Sequence, residues 1–333
     1  MTENPPVLSV IIPARNAEAT IGRVLSAWRR PGAAAAELIV VDDASTDGTA
    51  EIASGRADRV IGLAVCRGPA AARNEGARIS RGDILLFVDA DVLAPPSCGD
   101  RVIRAFAADP GLDAVFGSYD DRPSEPNFLS QFKNLLHHYV HQHSAEEART
   151  FWAGCGAIRR KVFFDAGGFS ESYAAPSIED VELGYRLKAA GRTIRLLKDL
   201  QVTHLKRWTV TGLLRSDIWG RAVPWTRLAS SRGLPRDLNF RPSDRLSALL
   251  AWLVPLGLAA GALGPPWMLV ALGAAVLLVL INRGLYGFFL EKRGPAFAAG
   301  AALWHGFYLI YASAAFALVA PWYLLQKLFR RGR

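Results

Sequence analysis

An α/β sheet in the front of the chain, followed by apolar helices at the back, is the architecture the sequence predicts, and three observations carry it. Short β-branched runs alternate with helix-like segments through the first half. The excess of positive charge lies wholly beyond residue 204: residues 1–204 carry 23 Lys/Arg against 26 Asp/Glu, residues 205–245 carry 9 against 3, and residues 246–333 carry 7 against 1. The last stretch also contains three long apolar runs that hold one histidine and no Lys, Arg, Asp or Glu.

Taken in order, "VLSVIIP" is followed by the amphipathic "AEATIGRVLSAWRR", "ELIVVDD" by "TDGTAEIASGR", "RVIGLAV" by "GPAAARNEGARIS", and "GDILLFVDAD" by a further helix. This alternation predicts parallel strands with crossover helices on both faces. Ligands of such sheets sit outside the carboxyl ends of the strands. Polar clusters fall there: Pro13, Ala14, Arg15 and Asn16 after the first run, Asp42 and Asp43 after the second, Asp89 and Asp91 after the fourth. No G-x-G-x-x-G follows the first run, which disfavours a dinucleotide oxidoreductase.

Residues 151–204 form a second block. Val181, Leu183 or Gly184, Leu187 and Ala190 make a helical stripe that opens with Glu179 and Asp180, where acids favour the helix dipole. Gly167 and Gly168 predict a turn of positive φ. His137, His138, His141 and His143 include an i, i+4 spacing suited to zinc, but without a nearby Cys or an HExxH pattern they are assigned no metal. Cys66, Cys98 and Cys155 are scattered and imply no disulfide framework.

The third block, "HLKRWTVTGLLRSDIWGRAVPWTRL", mixes Trp and Leu with Arg at intervals that suit a helix on a headgroup surface, interrupted at Pro224. Behind it, Ser247 to Leu263, Trp267 to Ile281 and Ala296 to Leu325 approach or exceed the ~20 residues that cross a bilayer core. Trp252, Trp267, Trp304, Trp322 and Tyr323 at their edges fit an interfacial belt. The chain is thus expected to divide into a front domain (1–204), an amphipathic interfacial segment (205–245) and transmembrane helices (246–333) with two or three crossings. Two crossings plus a re-entrant or surface segment keep "EKR" (291–293) and the tail "KLFRRGR" on the cytoplasmic side, whereas three would export the tail. With a polar N-terminus, "MTENPP", and no cleavable signal, the front domain is expected on the cytoplasmic face of the inner membrane. A net charge of +9 distributed in this way points to membrane lipid and not to nucleic acid.

The chemistry centres on "LFVDADV". Two carboxylates at i and i+2, delivered where an apolar strand breaks, make an oxygen-rich site for Mg²⁺ or Mn²⁺ that keeps open positions for phosphate oxygens. Their company is specific: "SVIIPARNAEATI", "ELIVVDDASTDGTAEIA", "GPAAARNEGARISRGDILLFVDADV", "AGCGAIRRKVFFDAGGF" and "IEDVELGYRLKAAG" occur in this order. Together they resemble the family 2 glycosyltransferases, with their GT-A nucleotide-sugar fold, a Rossmann-like mixed sheet, over about residues 7–210.

The resemblance implies an inverting transfer of a sugar from a nucleotide sugar, a UDP-sugar first among them, to a hydroxyl or lipid-linked acceptor. It puts the nucleotide against Pro13 to Asn16 and the pair Asp42 and Asp43, with Asp43 reading the base. Arg73 and Asn74 line the nucleotide pocket, Asp83 opens the strand leading to the metal, Asp89 faces ribose or sugar, and Asp91, together with Asp89, binds the cation. Asp180 corresponds to the general base, with Glu179 beside it. "HLKRW" resembles the Q-x-x-R-W signature of processive polysaccharide synthases, with His204 at the polar position and Arg207 and Trp208 on the acceptor and diphosphate side. The missing glutamine argues against long-chain processive synthesis. A polyisoprenyl-phosphate glycosyltransferase and a non-catalytic membrane scaffold retaining the fold are the alternatives; the intact set Asp43, Asp89, Asp91 and Asp180 disfavours the scaffold.

Overall fold

The computed structural model describes residues 8–232 and 242–331. The N-terminal "MTENPP" and the side chains of the tail, on which the expected location and topology partly rest, lie outside the described residues. The chain forms two compact units, Met1–Trp208 and Thr209–Arg333.

In the first unit, eight strands make one sheet: β1 (Leu8–Ala14), β2 (Ala36–Asp42), β3 (Arg59–Gly62), β4 (Ile84–Val88), β5 (Val92–Leu93), β6 (Ala114–Tyr119), β7 (Cys155–Arg159) and β8 (Ile194–His204), ordered β3-β2-β1-β4-β7-β6-β8-β5. The β3-β2-β1-β4 half is parallel throughout, as the alternation predicts. Beyond it β7 runs antiparallel to both β4 and β6, and β5 antiparallel to β8, so the sheet is mixed. Helices α1 (Glu18–Trp28), α2 (Thr49–Ser54), α3 (Pro69–Ile79), α4 (Cys98–Ala108), α5 (Phe128–Gln142), α6 (Arg160–Asp165) and α7 (Glu179–Ala189) connect these strands.

The central strands are apolar on both faces because both are covered. From β4, Ile84, Leu86 and Val88 join one core layer, where Ile21, Val24, Leu25 and Trp28 of α1 meet them at helical spacing. Leu85 and Phe87 point to the other layer, where Phe87 packs against Phe163 and Phe169 at 5.3 and 5.0 Å between ring centroids. Their strand therefore has no freedom to slip, since a shift of one residue would exchange the two layers.

The second unit contains α8 (Val210–Arg215), a π-helical turn over Ser216–Ala222, α9 (Val223–Arg232), α10 (Pro242–Ala260), a short 3₁₀ turn, α11 (Pro265–Ile281) and α12 (Arg283–Arg331). The expected interruption at Pro224 is not a break. The widened turn immediately before it carries the helix into α9, and π-turns of this kind relieve the ladder where a bond is missing. Leu213 and Asp217 face inward while Arg215, Trp219 and Arg221 are exposed. Asp217, which the sequence reading passes over, accepts a hydrogen bond from the Tyr311 hydroxyl at 2.7 Å.

Pro242–Leu263 and Arg283–Tyr323 are long and apolar enough to cross a membrane; Pro265–Ile281 is apolar but shorter, at 17 residues. Gly294, at φ 81°, interrupts α12 between the charged turn Glu291–Arg293 and the apolar run that follows. Leu256, Leu263, Leu269, Leu272, Leu303 and Leu318 are exposed, the reverse of a soluble core.

The start of α7 is seated by a glycine. Gly184 lies so close to the backbone of Thr150 and Phe151 that a Cβ would fall 2.4 Å from the Phe151 nitrogen. Of the expected stripe, Leu183, Gly184 and Leu187 are buried, Val181 is half-buried, and Ala190 lies exposed at the C-cap. Gly184→Ala must push α7 off that backbone, and overpacking of this kind costs about 1–3 kcal/mol. Thermal melts of the purified chain in detergent are expected to show a fall in Tm of roughly 2–4 °C per kcal/mol.

Candidate active site

The carboxyl ends of β1, β2 and β4 open on one side of the sheet. Pro13 and Ala14 are the last residues of β1 itself and are buried in it, with Arg15 and Asn16 exposed beyond. Asn16 (φ 48°) and Ala44 (φ 56°) both adopt the left-handed region, which side chains other than glycine occupy at a cost. Side-chain bonds tie the two loops together: the Asn16 N–H donates to Ser45 Oγ at 2.9 Å, and Thr46 N–H to Asn16 Oδ1 at 2.9 Å.

The adjacent acids differ in what they do. Asp43 accepts the backbone N–H groups of Arg67 (2.7 Å) and Gly68 (2.8 Å) and the Cys66 thiol (3.3 Å), so it clamps the turn into α3. Asp42 accepts Ser45 N–H at 3.2 Å through Oδ2, and its buried Oδ1 has no partner. A buried carboxylate oxygen left without a donor is costly.

At the end of β4 the central group is Arg73, on α3. Its guanidinium is 4% exposed and donates to Glu179 Oε1 at 2.8 Å and Asp89 Oδ1 at 2.7 Å, lying 5.4 Å from the Phe169 ring centroid. Burial pushes the Asp89 carboxyl up, against the pull of Arg73. Asp91 behaves oppositely: burial acts to raise it, but His204 and Lys206 outweigh that and hold it below the usual carboxylate range. His204 Nε2 is 3.7 Å from Asp91 Oδ2, and the Tyr119 ring stacks on the imidazole at 4.4 Å. His138 Nδ1 bonds the Tyr119 carbonyl at 2.7 Å, so that histidine has a structural use.

Two successive backbone residues before β7 join the acids. Gly154 C=O accepts from Asp89 N–H at 3.2 Å, and Ala153 N–H donates to Asp180 Oδ2 at 3.0 Å. Asp180 also accepts its neighbour's Val181 N–H at 2.8 Å. Burial, aided by the adjacent Glu179, pushes its carboxyl up to about 6. A carboxylate with that value, ionised at neutral pH yet more basic than an exposed one, suits proton abstraction.

The structure thus brings Arg73, Asp89, Asp91, Glu179, Asp180 and His204 together and gathers Arg15, Asn16, Asp42 and Asp43 at the neighbouring strand ends. Three expected residues are engaged elsewhere. The Asn74 amide is bonded to the backbone N–H and C=O of Phe169, both at 2.9 Å, securing the turn in which Gly167 and Gly168 have the expected positive φ. Arg207 pairs with Glu125 at 3.2 Å. Trp208 is buried, with its backbone N–H donated to Ser130 Oγ at 2.7 Å.

Among the described residues no group of three or more His, Cys, Asp or Glu is arranged to hold a metal. Asp91 and His204 nonetheless supply two adjacent donors, an ionised carboxylate oxygen and an imidazole nitrogen, and their chemistry fits Mn²⁺ or Mg²⁺ completed by phosphate oxygens.

Comparison with known proteins bears on the family and the fold. The family model for "Glycosyl transferase family 2" matches residues 9–167. A validoxylamine A glucosyltransferase of Streptomyces hygroscopicus subsp. limoneus is 30% identical over 236 residues, covering 57% of this chain and 49% of the relative, so the chain spans about half of that protein's length. An undecaprenyl-phosphate 4-deoxy-4-formamido-L-arabinose transferase of Pseudomonas paraeruginosa is 35% identical over 128 residues, covering 35% of this chain and 36% of that one. Among solved structures, a mannosyltransferase from Pyrobaculum calidifontis in complex with GDP-Man and Mn²⁺ superposes with a TM-score of 0.59 at 21% identity, covering 90% of this chain and 87% of that one. The mixed sheet with its acids at the strand ends, the matched family model and the shared fold together identify residues 9–167 of this chain as a glycosyl transferase family 2 domain of the GT-A fold.

Proposed function

We propose that the chain transfers a sugar from a nucleotide sugar to a hydroxyl acceptor with inversion at the anomeric carbon. The observation that carries this reading is Asp180: a carboxylate pushed up to about 6, tied through Ala153 and Gly154 to the Asp89-Ala90-Asp91 turn. Asp180 takes the acceptor's proton as its oxygen bonds to the anomeric carbon, the bond from that carbon to the diphosphate oxygen breaks, and the nucleoside diphosphate leaves. No covalent glycosyl-enzyme is required. Asp91 and His204 would hold a divalent cation, which when bound supplies Lewis-acid stabilisation of the departing diphosphate. Arg73 keeps Asp89 oriented toward the donor while neutralising it, and Asp43, with Asp42 beside it, faces the base of the nucleotide. A UDP-sugar is the first donor to test, and GDP-mannose, which the Pyrobaculum calidifontis enzyme carries, is the second.

A polyisoprenyl-phosphate acceptor is the second reading, favoured by the two membrane-length helices of the second unit and by the relative named for undecaprenyl phosphate. In either case we take residues 1–204 as the catalytic domain on the cytoplasmic face of the inner membrane, residues 205–245 as interfacial and residues 246–333 as the membrane part. The defining experiment incubates the purified chain with Mn²⁺ and a panel of UDP- and GDP-sugars and follows nucleoside diphosphate release.

Asp180→Asn is expected to lower turnover by about 10²–10⁴-fold while nucleotide affinity, read by calorimetry, changes little. Turnover by the mutant at the wild-type rate would remove the base assignment. The wild-type rate is expected to fall as pH drops below about 6, because the raised Asp180 carboxyl is then protonated and cannot accept a proton; a profile flat from pH 7 to 5 contradicts this. Cell fractionation is expected to leave the chain in the membrane pellet after carbonate washing and to release it only with detergent.

A further inference from the structure

We infer that Lys206, rather than the expected Arg207, is the cation that grips the diphosphate of the donor. This rests on the nucleotide-sugar reading above. The β5–β8 pairing sets Val92 opposite His204, and it continues one residue further, where Leu205 N–H donates to the Asp91 carbonyl at 2.8 Å. Lys206 therefore falls opposite the Asp89-Ala90-Asp91 turn. Leu205 is buried in the same core layer as Leu200 and Val202, whereas Lys206, next along the chain, is exposed.

Two further observations separate Lys206 from its neighbour. Its ammonium lies 4.4 Å from the ring centroid of Trp208, which is itself fixed by bonds from its N–H to Ser130 and from Asn127 Nδ2 to its carbonyl. A cation held over an indole face is restrained without being neutralised. Arg207, in contrast, is paired with Glu125. An ammonium that is set opposite the Asp89-Ala90-Asp91 turn, oriented and accessible has the properties needed to bind phosphate oxygens. Trp208, which sequence comparison puts on the acceptor side, then acts as a positioning residue for the lysine.

The test titrates the full-length chain in detergent, with Mn²⁺ present, against UDP, GDP and the corresponding nucleosides. Lys206→Gln is expected to weaken binding of the diphosphate that the wild type prefers by on the order of tenfold, the loss of one charge-assisted interaction, and to leave nucleoside binding unchanged. Lys206→Arg is expected to retain affinity within about threefold. Lys161→Gln, which removes an exposed charge from an ion pair on α6, is expected to match the wild type. Mn²⁺ affinity, read by electron paramagnetic resonance without nucleotide, is expected to be unchanged in Lys206→Gln. Unaltered diphosphate affinity in Lys206→Gln, or a parallel loss of Mn²⁺ affinity, overturns the inference alone. Failure of the wild type to bind either diphosphate overturns the nucleotide-sugar reading and the inference with it.

Discussion

Arg73 is stripped of water between Asp89 and Glu179, and the rest of the crevice depends on that arrangement. A buried guanidinium is tolerated only where its donors find acceptors, and it receives two, one from the end of β4 and one from the start of α7. The ion pairs therefore fasten α3, β4 and α7 to one another at the point where the donor is expected. Losing one partner of such a set costs about 3–5 kcal/mol, because the remaining charges stay buried without compensation. Position is specified here by charge as much as by packing.

The same arrangement separates carboxylates that look alike in sequence. Asp89 and Asp91 are two residues apart, yet the first is raised by burial and the second is held down by His204 and Lys206. Asp180 is raised as well, to about 6, with its burial and the neighbouring Glu179 acting in the same direction. Acids pushed apart in this way can divide the work of holding charge and moving protons, as in other enzymes whose carboxylates differ only in surroundings.

What could be read from the chain beforehand follows the range of the interactions. The parallel half of the sheet was legible because each of its strands is a contiguous apolar run with a polar end, and the Asp-Ala-Asp turn was visible for the same reason. The partners of β7 were not, since its antiparallel pairing with β4 and β6 depends on residues about 40 to 70 positions away in sequence. Asp43 is conspicuous in the sequence, but only the folded turn reveals that its oxygens are engaged by Arg67 and Gly68 while Asp42 keeps one free. Tyr119 carries no local signal of its stacking on His204.

The suspension of Asp89 and Asp180 from Gly154 and Ala153 has a mechanical implication. The main chain of Asp89 and the carboxylate of Asp180 are bonded to the same short piece of main chain, so a displacement of the segment leading into β7 carries donor-side and acceptor-side acids along as one body. Breathing of the sheet, or drift of the surrounding helices, can then change how widely the crevice gapes without altering the interval between Asp89 and Asp180. Adaptation to new acceptors has the outer loops to work with while that interval stays under the control of two peptide groups.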